Sequence, residues 1–110
     1  MRILIAEDEV EIARALKILL EKNKCSVDIV HNGKDAWDFI CQGNFDVIVL
    51  DIMMPEMDGI EVLRALRAGN VTEHVPVFLI TAEASGSVMK EAYELGVMDV
   101  IGKPVIPYMV

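Results

Sequence analysis

Four apolar runs in this chain of 110 residues each lead into polar side chains that can do chemistry. Glu7 and Asp8 follow Arg2–Ala6, Asp51 follows Asp46–Leu50, Thr81 follows Val75–Ile80, and Lys103 follows Val97–Ile101 after one glycine. Carboxylates brought together repel. A pair about 5 Å apart costs roughly 3 kcal/mol at an effective dielectric of about 20, and uncompensated carboxyl groups shift their pKa upward. A hard divalent cation resolves that conflict, and Mg²⁺ takes a few carboxylates together with water. The same set suits attack by a carboxylate on phosphorus. A cation, the Lys103 ammonium and the Thr81 hydroxyl can hold the transferring phosphoryl oxygens, and the product is an aspartyl phosphate.

The elements that must position these groups follow from periodicity. Arg2–Ala6 is a short apolar run. Val10–Lys22 places Ile12, Leu16, Leu19 and Leu20 at helical spacing, with Asp8 or Glu9 ready to cap it. Ser26–Val30 alternates as a half-buried edge strand does. Asn32–Gly33 breaks the chain before a second helix, Lys34–Cys41, which carries Ala36, Trp37 and Ile40 and ends at Gly43. Asp46–Leu50 is continuously apolar after its first residue, which predicts burial on both faces of a parallel sheet. Pro55 and Asp58–Gly59 mark a loop. A third helix spans Ile60–Ala68, with Val62, Leu63 and Leu66 inward, and Gly69–Asn70 closes it. Val75–Ile80 is a strand with Pro76 near its start, where a missing donor is tolerated. Ser87–Leu95 is a fourth helix with Val88, Ala92 and Leu95 buried and Lys90, Glu91 and Glu94 solvated. Gly96 ends it before the last strand, Val97–Ile101.

Strands alternating with helices predict an α/β domain: a doubly wound, five-stranded parallel sheet with helices on both faces and right-handed crossovers. Ligands of such sheets bind beyond the carboxyl ends of the strands, where Glu7, Asp8, Asp51, Thr81 and Lys103 all fall. Singly, each has a bland reading: Asp8 as a helix cap, Asp51 as a loop cap, Thr81 as a turn hydroxyl, Lys103 as a solvated lysine. Jointly, those readings require four accidents on one edge of one sheet.

Composition narrows the alternatives. With 54% apolar and 25% charged residues, the chain can bury a core, which excludes a disordered tail. Ten basic against 18 acidic side chains give a net charge of −8, and that field opposes direct binding to nucleic acid. Mean hydropathy is high, at +0.41, yet no apolar run approaches the roughly 18 residues of a membrane span. The N-terminal run is too short for a signal peptide and meets acids at once, so a cytoplasmic location is expected. Cys25 and Cys41 lack metal-ligand spacing and read as reduced thiols. His31 and His74 read as lying away from the active edge. Met53, Met54 and Met57 read as loop packing, and Trp37 as an ordinary packed aromatic.

Together these residues resemble the receiver domain of bacterial two-component response regulators. The resemblance runs from Met1 to about Pro107. It rests on Glu7–Asp8, the block VIVLDIMMPEMDG from Val47 to Gly59, Thr81–Ala82 and Lys103–Pro104. It implies the flavodoxin-like strand order 2-1-3-4-5. It also implies that Asp51 accepts a phosphoryl group from the phosphohistidine of a sensor histidine kinase. Glu7, Asp8, Asp51 and the backbone carbonyl of Met53 would place Mg²⁺. Thr81 would hydrogen-bond the phosphoryl group, Lys103 would pair with it, and the Lys103–Pro104 bond would be cis. On this resemblance the domain is a phosphorylation-controlled switch that assists its own phosphorylation and dephosphorylation and is not a turnover enzyme. Its partners would be the kinase and, in a longer chain, an output domain.

Three departures from the family pattern carry expectations of their own. Val100 stands where the family often has an aromatic residue, so coupling from Thr81 would rest on packing alone. Met53 and Glu83 stand at positions that tune dephosphorylation, and Met53 cannot hydrogen-bond an attacking water, which predicts slow hydrolysis. Only Val105–Val110 follow Pro104, too few for the family's fifth helix. Residues 1–110 therefore read as a C-terminally truncated receiver domain without an output domain. The bare sheet face predicts marginal monomer stability or homodimerisation. Three other classes fit less well. A pseudo-receiver that binds partners without phosphorylation would not need the intact acidic and basic set. A phosphohydrolase wants a second acid at Met53. A flavodoxin wants a hydroxyl- and glycine-rich loop where Glu7 and Asp8 stand, and no GxxxxGK loop is present.

Overall fold

A computed structural model describes residues 1–69, 75–82 and 86–103. Among them five strands alternate with four helices: β1 (Arg2–Ala6), α1 (Val10–Lys22), β2 (Ser26–Val30), α2 (Gly33–Gln42), β3 (Val47–Asp51), α3 (Gly59–Gly69), β4 (Val77–Thr81), α4 (Gly86–Glu94) and β5 (Asp99–Gly102). The strands form one sheet in the order β2-β1-β3-β4-β5, and every pairing is parallel. The doubly wound sheet and its 2-1-3-4-5 order are as expected. No described helix is long and apolar enough to cross a membrane. The expectations for His74, Glu83, the Lys103–Pro104 bond and Val105–Val110 fall outside the described residues.

The two-residue period of the strands sorts the core into two faces. Leu4, Ala6, Ile48, Leu50, Val77 and Leu79 share one cluster with Ala36 and Ile40 of α2, Leu63 and Leu66 of α3 and Ala92 of α4. Ile3, Ile5 and Val27 form the other, with Leu16 and Leu20 of α1 against them. On this second side, an apolar groove of about 430 Å³ runs between α1 and the strands, floored by Val47, Val49, Phe78, Ile80 and Ile101. Burial of β3 on both faces is therefore corrected. Ile48 and Leu50 are buried, but Val47 and Val49 are only half-buried, because α1 leaves their side of the sheet partly uncovered.

The strands that carry site residues end later than the apolar runs suggest. Asp51 is itself a ladder residue opposite Ile80, and Thr81 pairs with Gly102. At the other end, the Asp46 carboxylate accepts the Arg2 backbone N–H at 2.7 Å instead of opening β3. β5 starts only at Asp99, because the Val97 N–H turns back to the Ala92 carbonyl at the end of α4. Helix starts vary in their chemistry. The Asn32 side chain caps α2 by accepting the Asp35 N–H at 2.8 Å. At α3 the Asp58 carboxylate accepts the Glu61 N–H at 2.8 Å while Glu61 Oε1 accepts the Asp58 N–H at 3.4 Å, a reciprocal capping box. Glu9 occupies the cap position of α1 but makes no side-chain cap bond. Glu91 is not simply solvated: both its oxygens accept from Arg64 Nη2, at 2.6 and 2.7 Å, which ties α4 to α3.

Candidate functional site

The carboxyl edge of the sheet gathers the residues singled out by sequence. β1 delivers Glu7, whose backbone N–H continues the ladder to the Val30 carbonyl at 3.0 Å. β3 ends on Asp51, β4 on Thr81, and Lys103 follows β5. The Lys103 N–H is held by the Thr81 carbonyl at 2.8 Å, so the ends of β4 and β5 are tied together. Among the described residues, Glu7, Asp51 and Thr81 are the buried polar side chains in an otherwise apolar set, whereas Asp8 is exposed.

Lys103 Nζ stands among three carboxylates: Glu7 Oε1 at 2.8 Å, Glu9 Oε1 at 3.0 Å and Asp51 Oδ2 at 3.1 Å. Asp51 Oδ1 accepts the Met53 N–H at 3.2 Å, so the two oxygens of this carboxylate are held differently. Glu7 Oε2 accepts the Glu9 N–H at 3.1 Å. Glu7 Oε1 lies within ion-pair reach of Lys103 but off the line of a hydrogen bond, so this buried oxygen has charge compensation and no donor.

Burial pushes the Glu7 carboxyl up to about 7, and its bond to Asp51 adds to the rise. Lys103 and the Glu9 N–H oppose it without cancelling it. For Lys103, burial acts downward, but the ion pair with Glu7 and the hydrogen bonds to Glu9 and Asp51 outweigh it and hold the ammonium above the usual lysine range. The site thus carries more negative charge than one lysine neutralises. Glu7, Asp8 and Asp51 can each turn an oxygen to within 4.8 Å of the others. An all-oxygen set of that size, with one buried carboxylate oxygen lacking a donor, fits a hard divalent cation.

Two glycines bring the loops close enough. A side chain on Gly59 would run into the Asp51 carbonyl, and one on Gly33 into the Met57 carbonyl. The Gly59 N–H instead donates to the Ile52 carbonyl at 3.0 Å, folding the loop after β3 back onto Asp51. Within that loop Met54 and Met57 pack against the core while Met53 is exposed. Val100 packs into the cluster on the α2–α4 side. Cys25 is half-buried and Cys41 exposed, and neither is in a disulfide.

Two contacts were not foreseen. His31 reads in the sequence as lying away from this edge, yet its Nδ1 lies 3.0 Å from the Glu7 carbonyl. It follows β2 directly, and β2 lies beside β1, so the strand order was the signal that could have found it. Glu9 reads as a helix cap, and its ion pair with Lys103 spans 94 positions of sequence. The run of three acids, Glu7–Glu9, was its only trace in the sequence.

The comparisons with known proteins agree with this geometry. A family profile described as the response regulator receiver domain matches residues 3–108. The transcriptional regulatory protein YkoG of Bacillus subtilis is 40% identical over 102 residues, covering 93% of this chain and 44% of its own length. The transcriptional regulatory protein ResD of the same organism is 37% identical over 106 residues, covering 96% of this chain and 43% of its own length. The chain thus spans less than half the length of these relatives. Among solved structures, the receiver domain of the Francisella response regulator 1452 superposes with a TM-score of 0.88 at 34% identity, covering 98% of this chain and 88% of that one. With the family profile spanning nearly all of the sequence that builds the sheet and its acidic edge, the chain belongs to the response regulator receiver domain family.

Proposed function

We propose that this domain is a phosphorylation-controlled signalling switch in which Asp51 accepts a phosphoryl group from the phosphohistidine of a sensor kinase. The observation that carries this reading is the pairing of a fully buried Asp51 carboxylate with Lys103 Nζ at 3.1 Å, beside carboxylates able to hold a divalent cation. A carboxylate oxygen of Asp51 attacks phosphorus, the phosphorus–nitrogen bond of the donor breaks, and the imidazole leaves with its electron pair. Lys103 stands where it can neutralise charge on the phosphoryl oxygens, already oriented before the reaction. Thr81, at the end of β4, would hydrogen-bond the same group.

Glu7, Asp8, Asp51 and the Met53 carbonyl are the groups that would hold Mg²⁺, which when bound offsets the charge that otherwise repels an incoming phosphate. The aspartyl phosphate is the signal itself, so the domain acts as a phosphoacceptor without catalytic turnover. The output passes to a partner or to a further domain of a longer chain. Val100 gives the β4–β5 end a packed aliphatic contact through which that change can spread.

Intact mass after incubation with acetyl phosphate tests this reading. We expect a gain of one phosphoryl group that requires Mg²⁺ and is lost in Asp51→Asn. A folded chain that takes up none would overturn the reading and leave an interaction module independent of phosphorylation.

A further inference from the structure

We propose that Glu9 is a positioning residue that aims the Lys103 ammonium at Asp51. The inference rests on the phosphoacceptor reading and assigns a role to a residue outside the expected Glu7–Asp8–Asp51–Thr81–Lys103 set. Glu9 has the extended backbone of a helix cap, φ −81° and ψ 104°, yet its side chain leaves the first turn of α1 uncapped. It reaches instead to Lys103, Oε1 to Nζ 3.0 Å, and this contact has hydrogen-bond geometry. The Lys103–Asp51 contact has it too, at 3.1 Å. The shorter approach, to Glu7 at 2.8 Å, does not.

A lysine ammonium is a point charge on a flexible stem with three rotatable donors, and nothing in the side chain itself fixes its direction. Here Glu9 and Asp51 share two of those donors and fix their rotation. Without Glu9, the nearest unsatisfied acceptor is the buried Glu7 oxygen, and a donor turned toward it is turned from Asp51. Exposure fits this division of labour. The Lys103 side chain is 8% exposed and that of Glu9 58%, so Glu9 holds the lysine from the solvent side without carrying a second buried charge.

The test uses the purified chain and its Glu9→Gln variant, which keeps the side-chain length. Phosphorylation by acetyl phosphate is followed by mass across a Mg²⁺ titration. The Lys103 ammonium is followed by nitrogen NMR and assigned by its loss in Lys103→Arg. We expect Glu9→Gln to lower the rate at saturating Mg²⁺ by about threefold to tenfold, with the Mg²⁺ midpoint moved by less than about twofold. Hydrogen exchange at the Lys103 ammonium should speed up in the same variant. A rate unchanged at saturation, a slowed rate with an unaltered Lys103 signal, or a shift confined to the Mg²⁺ midpoint each overturns the positioning role alone. A wild-type chain that takes up no phosphoryl group overturns the phosphoacceptor reading and this inference with it.

Discussion

The two faces of the sheet are built from neighbouring residues of the same strands but protected to different degrees. On the face covered by α2, α3 and α4, Leu4, Ile48, Leu50, Leu63, Leu66 and Leu79 are fully buried. On the other face α1 is the helix that covers the strands among the described residues, and Val47, Val49 and Phe78 are half-buried around an apolar groove. Composition does not separate the faces, since both present aliphatic side chains. What separates them among the described residues is how many helices lie on each, so an identical loss of methyl groups should have different consequences on the two sides.

Leu50 and Val49 make the largest test of that difference, being adjacent on β3 and pointing to opposite faces. Leu50→Ala should destabilise by about 3–5 kcal/mol, since it opens a cavity among helices that cannot close on it. Val49→Ala should cost only about 1 kcal/mol, because its side chain already borders open space and leaves no sealed void. Urea unfolding followed by circular dichroism measures both. Equal losses would mean that the groove is closed in solution.

The sequence made part of this legible. Helical spacing and β-rich runs locate the nine described elements, and the limits of β1, α1 and β2 match to the residue, because each gives way to a charged or polar residue at its C-terminal end, Glu7, Asn23 and His31. The ends of β3, β4 and β5 slid by one or two residues. Period-two patterning cannot reveal that Asp51 and Thr81 stay in the ladder, or that Asp46, just before β3, is tied to Arg2 through both its backbone N–H and its carboxylate. The convergence of Glu7, Asp51 and Lys103 was legible because the strand-end rule of parallel sheets is topological. The Glu9 and His31 contacts were not, since each depends on where a side chain or a neighbouring strand end comes to lie across the fold.

The carboxyl edge is where burial involves charge, and pH separates it from both apolar faces. Glu7 titrates near 7 in the folded chain against an ordinary value of 4.5. Between those values the folded state binds more protons than the unfolded one, so stability falls as pH rises. The contribution of Glu7 is complete below about 4.5 and lost as pH climbs through about 7, a swing on the order of 3 kcal/mol. Unfolding in urea with a chelator present, at about pH 5 and about pH 8, should show this decline in the wild-type chain and a smaller one in Glu7→Gln. A decline of equal size in both would assign the pH dependence to other groups.

The smallest expected effect concerns how each face's helix is turned off. α4 and α1 end in the same hydrogen-bonded motif. The Val97 N–H reaches the Ala92 carbonyl and the Gly96 N–H that of Tyr93; the Cys25 N–H reaches the Leu20 carbonyl and the Lys24 N–H that of Glu21. This pattern places one residue in the left-handed region. On the α4 side that residue is Gly96, at φ +83°, and on the α1 side it is Lys24, at φ +65°. A β-carbon is strained there, whereas glycine gives up more freedom on folding, so the two effects partly offset. Lys24→Gly should therefore stabilise by less than about 1 kcal/mol, and Gly96→Ala should destabilise by about 1 kcal/mol. Thermal midpoints of the two variants would check the pair. If Lys24→Gly lowers the midpoint, the strain at the end of α1 is already relieved by its surroundings, and the less covered face is anchored more firmly than its backbone suggests.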